Sequence, residues 1–209
     1  MSKPKISVLL VEDHQLVRRG FRRMLEDEPD ISVVGEASDG PEAIELAAGL
    51  QPAVVVMDFA LPSMNGAVAA QRILKAVRNT AILMLSMHAE PNYVRTCLDA
   101  GARGYLLKNA VDLELVDAVR KVAAGGRVLD PRLGQMQLGN SPAPALTTRE
   151  LEVLQLIVHG KSSREIAIVL GVSANTVGVH RANLMQTLGV HNTAELVVHA
   201  LRNGLASIT

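Results

Sequence analysis

Aromatic residues are nearly missing from this 209-residue chain, which has no Trp, two Tyr and two Phe. Stacking of bases on aromatic rings is therefore excluded as a main way of holding nucleic acid. Any core must be built from Val, Leu, Ile, Ala and Met. Cysteine is scarce too. The single Cys97 cannot make an intrachain disulfide framework or a cysteine zinc site, and a reducing cytoplasm is the expected setting. Net charge is absent, with 21 Lys and Arg against 21 Asp and Glu. No global field draws the chain to nucleic acid or to a membrane, so any DNA contact must rest on local charge. The apolar run Ile6–Val11 ends in Glu12 and Asp13, too short for a signal sequence or a membrane span. No membrane association is expected.

What is present is enough apolar material for a core, 48% of residues, in a length that fits one large domain or two modest ones. The two halves follow different grammars. The first alternates short β-branched runs with helical stretches. The strand candidates are Ile6–Val11, Ile31–Gly35, Val54–Met57, Ile82–Leu85 and Gly104–Leu107. Several are apolar at every position, the mark of a parallel strand covered on both faces. Helix candidates lie between them, at His14–Glu28, Pro41–Ala48, Asn65–Val77, Asn92–Ala100 and Leu113–Ala124, with Asp39 and Glu42 spaced as a capping box. Serial βα units predict a doubly wound α/β domain with a five-stranded parallel sheet, flavodoxin-like in architecture.

The second half has no convincing strand. Thr147 with Glu150, Ser162 with Glu165, and Asn192 with Glu195 have capping-box spacing, and Ser173 is a further N-cap candidate. Gly160, Gly171, Gly189 and Gly204 stand where left-handed terminators are wanted. Helices are expected at about Thr148–His159, Ser163–Leu170, Ala174–Leu188 and Thr193–Asn203, an all-α unit. The expected division is a first domain at 1–127, a Gly- and Pro-rich linker at 128–145, and a second domain at 146–209.

Open α/β sheets bind ligands at the carboxyl ends of their strands. The first strand ends in Glu12-Asp13, the third in Asp58, the fourth in Ser86, and the fifth is followed by Lys108. If these strands are neighbours, the side chains converge. Clustered carboxylates repel unless a cation joins them, and hard oxygen donors suit Mg²⁺. Phosphoryl transfer asks mainly for positioning and charge stabilisation. Asp58 would be the nucleophile, Lys108 a point charge on a phosphoryl oxygen, and Ser86 a hydroxyl donor. Each residue alone has a plainer reading: a turn or cap for Asp58, a helix cap for Glu12-Asp13, a small buried polar group for Ser86, an exposed lysine for Lys108. Cys97 reads as packing, His14 as an exposed first-turn residue, and Arg18, Arg19, Arg22 and Arg23 as a solvated helix face. The combination, in this order, is the specific signal.

These residues resemble the receiver domain of response regulators over nearly the whole first half. The resemblance lies in Val11-Glu12-Asp13-His14, in Met57-Asp58-Phe59-Ala60-Leu61-Pro62 with Gly66 beyond, in Ser86, and in Gly104-Tyr105-Leu106-Leu107-Lys108. It implies Asp58 as phosphoacceptor for a sensor histidine kinase. It implies Mg²⁺ held by Glu12, Asp13, Asp58 and the Phe59 backbone carbonyl. It implies Ser86 and Tyr105 as a coupled switch in which the ring turns inward. Ala60 and His88 fall where the family varies its dephosphorylation rate. An aspartyl-phosphate phosphatase would carry a second Asp at position 60, where this chain has Ala60. A flavin binder would not open its first loop with Glu12-Asp13. The chain is therefore not expected to be an enzyme beyond slow self-dephosphorylation.

Short helices around the turn Leu170-Gly171-Val172-Ser173 are compatible with helix-turn-helix DNA binding, and equally with a small bundle that binds protein. In the helix after the turn, Val177, Leu184 and Leu188, with Ala174 before them, read as inward. Ser173, Asn175, Thr176, Val179, His180, Arg181 and Asn183 are the candidates for DNA contact. This half resembles the LuxR-type output domain from Leu146 to about Gly204, through Leu146-Thr147-Thr148-Arg149-Glu150, Glu165-Ile166-Ala167, Ser173-Ala174-Asn175-Thr176-Val177, His180-Arg181-Ala182-Asn183-Leu184-Met185 and Leu188-Gly189-Val190. Together the halves resemble a NarL/FixJ-type response regulator. That implies a transcription factor for double-stranded DNA, a homodimer when phosphorylated, in which phosphorylation either drives dimerisation or releases the recognition helix. Two positions depart from the pattern. Gly178 and Thr187 stand where the family commonly carries basic residues, and the domain has five basic residues (Arg149, Lys161, Arg164, Arg181, Arg202) against four acidic ones (Glu150, Glu152, Glu165, Glu195). The competing expectation is a receiver whose helical domain binds a protein partner.

Overall fold

The computed structural model describes residues 4–133, 146–203 and 205–206, without the side chains of Asn92 and of 110–113. Gly204 and most of the expected linker lie outside them. The sheet is parallel, with strands β1 (Ile6–Val11), β2 (Ile31–Ala37), β3 (Val54–Asp58), β4 (Ala81–Ser86), β5 (Gly104–Leu107) and β6 (Val128–Leu129) in the order β2-β1-β3-β4-β5-β6. Sequence led to five strands. The sixth comes from residues assigned to the linker: Val128 pairs with Gly104 and Leu129 with Tyr105.

Strands β3 and β4 are buried at every residue, as their unbroken apolar runs require. Alternate side chains feed two cores. Leu9, Val55, Met57, Ile82 and Met84 pack with residues of α2 (Gly40–Leu50), α3 (Gly66–Ala76) and α4 (Pro91–Asp99). Val8, Leu10, Val54, Val56, Leu83 and Leu106 pack with Phe21 and Leu25 of α1 (Gln15–Glu26) and with Leu115, Val119 and Val122 of α5 (Val111–Ala123). The strand order reverses between β1 and β3, so a crevice opens at their carboxyl ends.

Helices α6 (Thr148–Val158), α7 (Ser163–Leu170), α8 (Ala174–Leu188) and α9 (Thr193–Arg202) form the second unit. Thr147 with Glu150 and Ser162 with Glu165 close both bonds of a capping box. Ser173 and Asn192 cap α8 and α9 by accepting from the amides of Thr176 and Glu195. Gly160, Gly171 and Gly189 have φ of 74°, 63° and 65°, the left-handed geometry that ends a helix without steric cost. The Asp39–Glu42 box does not form. Asp39 accepts from the Gly40 and Ser63 amides, and Glu42 instead accepts from the amide and hydroxyl of Ser38.

The two units touch. The apolar core that holds α3 runs on into Leu151, Leu154 and Ile157 of α6. Gln155 donates to the Pro62 carbonyl at 2.6 Å, Thr96 to the Leu146 carbonyl at 3.2 Å, and Asn65 to the Leu205 carbonyl at 3.3 Å. Arg72 on α3 pairs with Glu152 on α6. A crevice of about 280 Å³ remains between them, lined by Met64, Val68 and Arg72 on one side and Leu156, Val169 and Leu170 on the other.

Candidate functional site

Because β1, β3, β4 and β5 are neighbours, their ends bring Glu12, Asp58, Ser86 and Lys108 to one edge. Lys108 Nζ lies 2.7 Å from Asp58 Oδ2 and 2.8 Å from Glu12 Oε2. Both carboxylates are buried, with side-chain exposures of 1% for Glu12 and 3% for Asp58. Lys108 is thus an ion-paired lysine at a strand end, not a solvated one. Burial pushes the Asp58 carboxyl up to about 7, with Lys108 pulling it down and the nearby Glu12 charge adding to the rise. One ammonium does not balance the carboxylates gathered here. The donor set is all oxygen, so the residues fit a hard divalent cation.

The supporting groups are ordered. Asp58 Oδ1 accepts from the Ala60 amide at 3.2 Å. Phe59 donates its amide to the Leu85 carbonyl, and its own carbonyl accepts from Gly66 at 2.9 Å. That bond uses one of the two lone pairs of the carbonyl oxygen. Asp13 is less buried than Glu12, and its Oδ1 lies 2.7 Å from His14 Nδ1. His14 is exposed, as expected, yet its ring joins Glu12 and Asp13 in a cluster of metal-type donors. The Asp13 charge, foremost, raises the His14 pKa. Sequence gave His14 no part, because a lone histidine at a helix start carries no signal.

Ser86 is buried, and its Oγ accepts from the His88 amide at 3.1 Å. Tyr105 is fully buried and donates its hydroxyl to the His88 carbonyl at 2.7 Å. The ring lies inside the core. Cys97 is buried, and burial holds its thiol well above the ordinary range, which fits a packing role.

Helix α8 buries Val177 and Leu184 but leaves Ala174 exposed, correcting its inward placement: Ala174 opens the helix before the first core turn. Ser173, Asn175, Thr176, Val179 and Asn183 are exposed, and His180 and Arg181 half-buried. Arg181 donates to Thr193 on α9 at 2.7 Å. Arg149 is also engaged, by Glu152 and the Leu170 carbonyl. Two of the few cations in this unit are therefore held by protein groups, which sequence could not reveal.

Carboxylates gathered at the switch point of such a sheet, with a helix-turn-helix unit on the same chain, define a class of protein, a signal receiver joined to a DNA-binding output. Residues 8–120 match the response regulator receiver domain, and residues 144–200 match the bacterial regulatory proteins of the luxR family. The chain belongs to the response regulators of the NarL/FixJ type: it is a two-component response regulator with a LuxR-type DNA-binding domain. It is 37% identical to the transcriptional regulatory protein LiaR of Bacillus subtilis (strain 168), over 97% of this chain and 100% of LiaR. It is 37% identical to the response regulator UvrY of Escherichia coli (strain K12), over 97% of this chain and 96% of UvrY. Among solved structures it resembles RcsB from Salmonella enterica serovar Typhimurium, bound to promoter rprA with the phosphomimetic BeF3-. That likeness has a TM-score of 0.72 and 27% identity, over 93% of this chain and 98% of RcsB. None of these likenesses favours a protein partner for the helical unit over DNA.

Proposed function

We propose that this chain takes a phosphoryl group from a sensor histidine kinase on Asp58, and that the modified form dimerises and binds specific double-stranded DNA in the cytoplasm to regulate transcription. The observation that carries this reading is the burial of Asp58 between Glu12 and Lys108 at the end of β3. A buried carboxylate with a lysine 2.7 Å away supports Asp58 as the nucleophile. The P–N bond of a phosphohistidine breaks as the new P–O bond to Asp58 forms, and the imidazole leaves with the electron pair. Lys108 then holds a phosphoryl oxygen as a point charge, and Ser86 supplies a hydroxyl donor. Glu12, Asp13, Asp58 and the Phe59 carbonyl would hold Mg²⁺, which neutralises charge on the transferring group and orients it.

The loop from Phe59 to Asn65 starts at the phosphoacceptor and ends on bonds to the output unit, through Pro62 and Asn65. A shift of that loop on phosphorylation reaches α6 directly, alongside the route through Ser86 and Tyr105. On α8, the exposure of Asn175, Thr176, Val179 and Asn183 favours dimerisation over unmasking as the regulated step. Ser173, Asn175, Thr176, Val179, His180, Arg181 and Asn183 remain the proposed DNA-facing set, with Arg181 leaving Thr193 to reach a phosphate.

Intact-mass measurement with a small-molecule phosphodonor and Mg²⁺ tests the receiver half. One added phosphoryl group that is absent from Asp58→Asn is expected. Equal labelling of both proteins would move the acceptor elsewhere.

A further inference from the structure

Beyond Leu129 the sixth strand stops, because Pro131–Leu133 turn into a short 3-10 helix and the Asp130 carbonyl, the ladder's next acceptor, takes the Leu133 amide at 2.9 Å instead. The next amide along the edge of β5, that of Leu107, would be buried without a strand partner, a costly state. Asp130 supplies the missing acceptor. Its Oδ2 takes the Leu107 amide at 3.0 Å, while its own amide donates to the Tyr105 carbonyl at 2.9 Å.

The Asp130 side chain is fully buried. A buried carboxylate is tolerated only when paired and hydrogen-bonded, and Arg132 does both. Its amide and Nε reach Asp130 Oδ1 at 3.0 and 2.7 Å, and its Nη2 reaches Oδ2. Burial alone would raise the Asp130 pKa. The Arg132 side chain and the Leu107 and Arg132 amides outweigh that and hold it below the ordinary range. The remaining arm of Arg132 donates to Asn109 Oδ1 at 2.7 Å. Residues 107 and 109, on either side of Lys108, are thus tied to one turn at the root of the segment leading to the output unit.

We propose that Asp130 and Arg132 are positioning residues for Lys108. They hold the Leu107 backbone on one side of the lysine and the Asn109 side chain on the other, and so set where its ammonium meets Asp58. The arrangement also makes the start of the interdomain segment sensitive to what Lys108 holds. Asp130 alone would satisfy the Leu107 amide. An arginine fork that reaches past its carboxylate partner to Asn109 adds orientation.

This inference rests on the reading of Asp58 as phosphoacceptor and Lys108 as its phosphoryl grip. The test is the rate of Asp58 phosphorylation in the full chain, with acetyl phosphate and Mg²⁺, followed by intact mass. Arg132→Ala and the exposed Asn109→Ala are made alone and in a Lys108→Ala background. Arg132→Ala is expected to slow phosphorylation about tenfold, the scale of a misplaced catalytic group, and Asn109→Ala to slow it less. Neither should add a further loss once Lys108 is gone, and Arg132→Lys, which keeps charge without the fork, should recover only part of the rate. An undiminished rate in Arg132→Ala, or the same loss with and without Lys108, would overturn the inference and leave the phosphoacceptor reading intact. A wild-type chain that gains no phosphoryl group overturns both.

Discussion

A methyl group at position 66 would stand 2.0 Å from the carbonyl oxygen of Asp58. Glycine there lets the start of α3 close over the end of β3, and the Gly66 amide hold the Phe59 carbonyl. Gly66→Ala must push that backbone away. Phosphorylation of Asp58 is expected to slow by about 10²-fold, and an unchanged rate would show that the loop tolerates the shift. Asp58 itself gives a pH-dependent prediction for the metal-free protein. Its folded pKa of about 7 exceeds the ordinary 3.8, so between those values the fold binds more protons than the unfolded chain. Its contribution to stability therefore falls as pH rises through that window and is level above it. In a chelator, Asp58→Asn should raise Tm more at pH 8 than at pH 5. Equal shifts at both would contradict this. Asp58, Glu12 and Lys108 were legible because strand ends in an open sheet point to one crevice. Asp130 was not, since a carboxylate beside proline in a Gly-rich stretch looks like a turn residue until its strand is seen.

Among the elements, long periodic segments were the most readable, and Ser163–Leu170 and Ala174–Leu188 fall where spacing and caps put them. Strand β6 was hidden because two residues carry no alternation, and only the β5 edge makes them a strand. The failed Asp39–Glu42 box has a similar cause: Ser63, from the β3–α3 connection, claims Asp39, and Ser38 offers Glu42 two donors. Helix α8 carries Gly178 in its interior, where an added Cβ meets nothing within 4 Å. Its helical geometry suits alanine, so Gly178→Ala should stabilise the fold by about 1 kcal/mol in urea unfolding. Gly178→Lys should tighten DNA binding and steepen the slope of log K against log salt by about 1. A lysine variant with an unchanged slope would mean that this position faces no phosphate.

At the scale of the whole molecule, the receiver and output meet through the loop that begins at Asp58. Arg72 and Glu152 close that contact from α3 to α6. Arg72→Glu sets two carboxylates face to face, so small-angle scattering should show a larger radius of gyration. An unchanged radius would mean that the apolar contact alone holds the units together. Domain order and class were legible because the two halves carry different periodicities. The contact between them was not, since Pro62, Asn65, Arg72 and Gln155 are ordinary residues whose partners lie 80 to 140 positions away. Asp58 is proposed to govern DNA binding by α8. The most direct measurement is retention of genomic DNA fragments by the purified chain, with and without a phosphodonor and Mg²⁺, beside Asp58→Asn. Defined sites enriched only with the donor, and only when Asp58 is present, are predicted. Retention that ignores the donor, or that survives in Asp58→Asn, would contradict the claim.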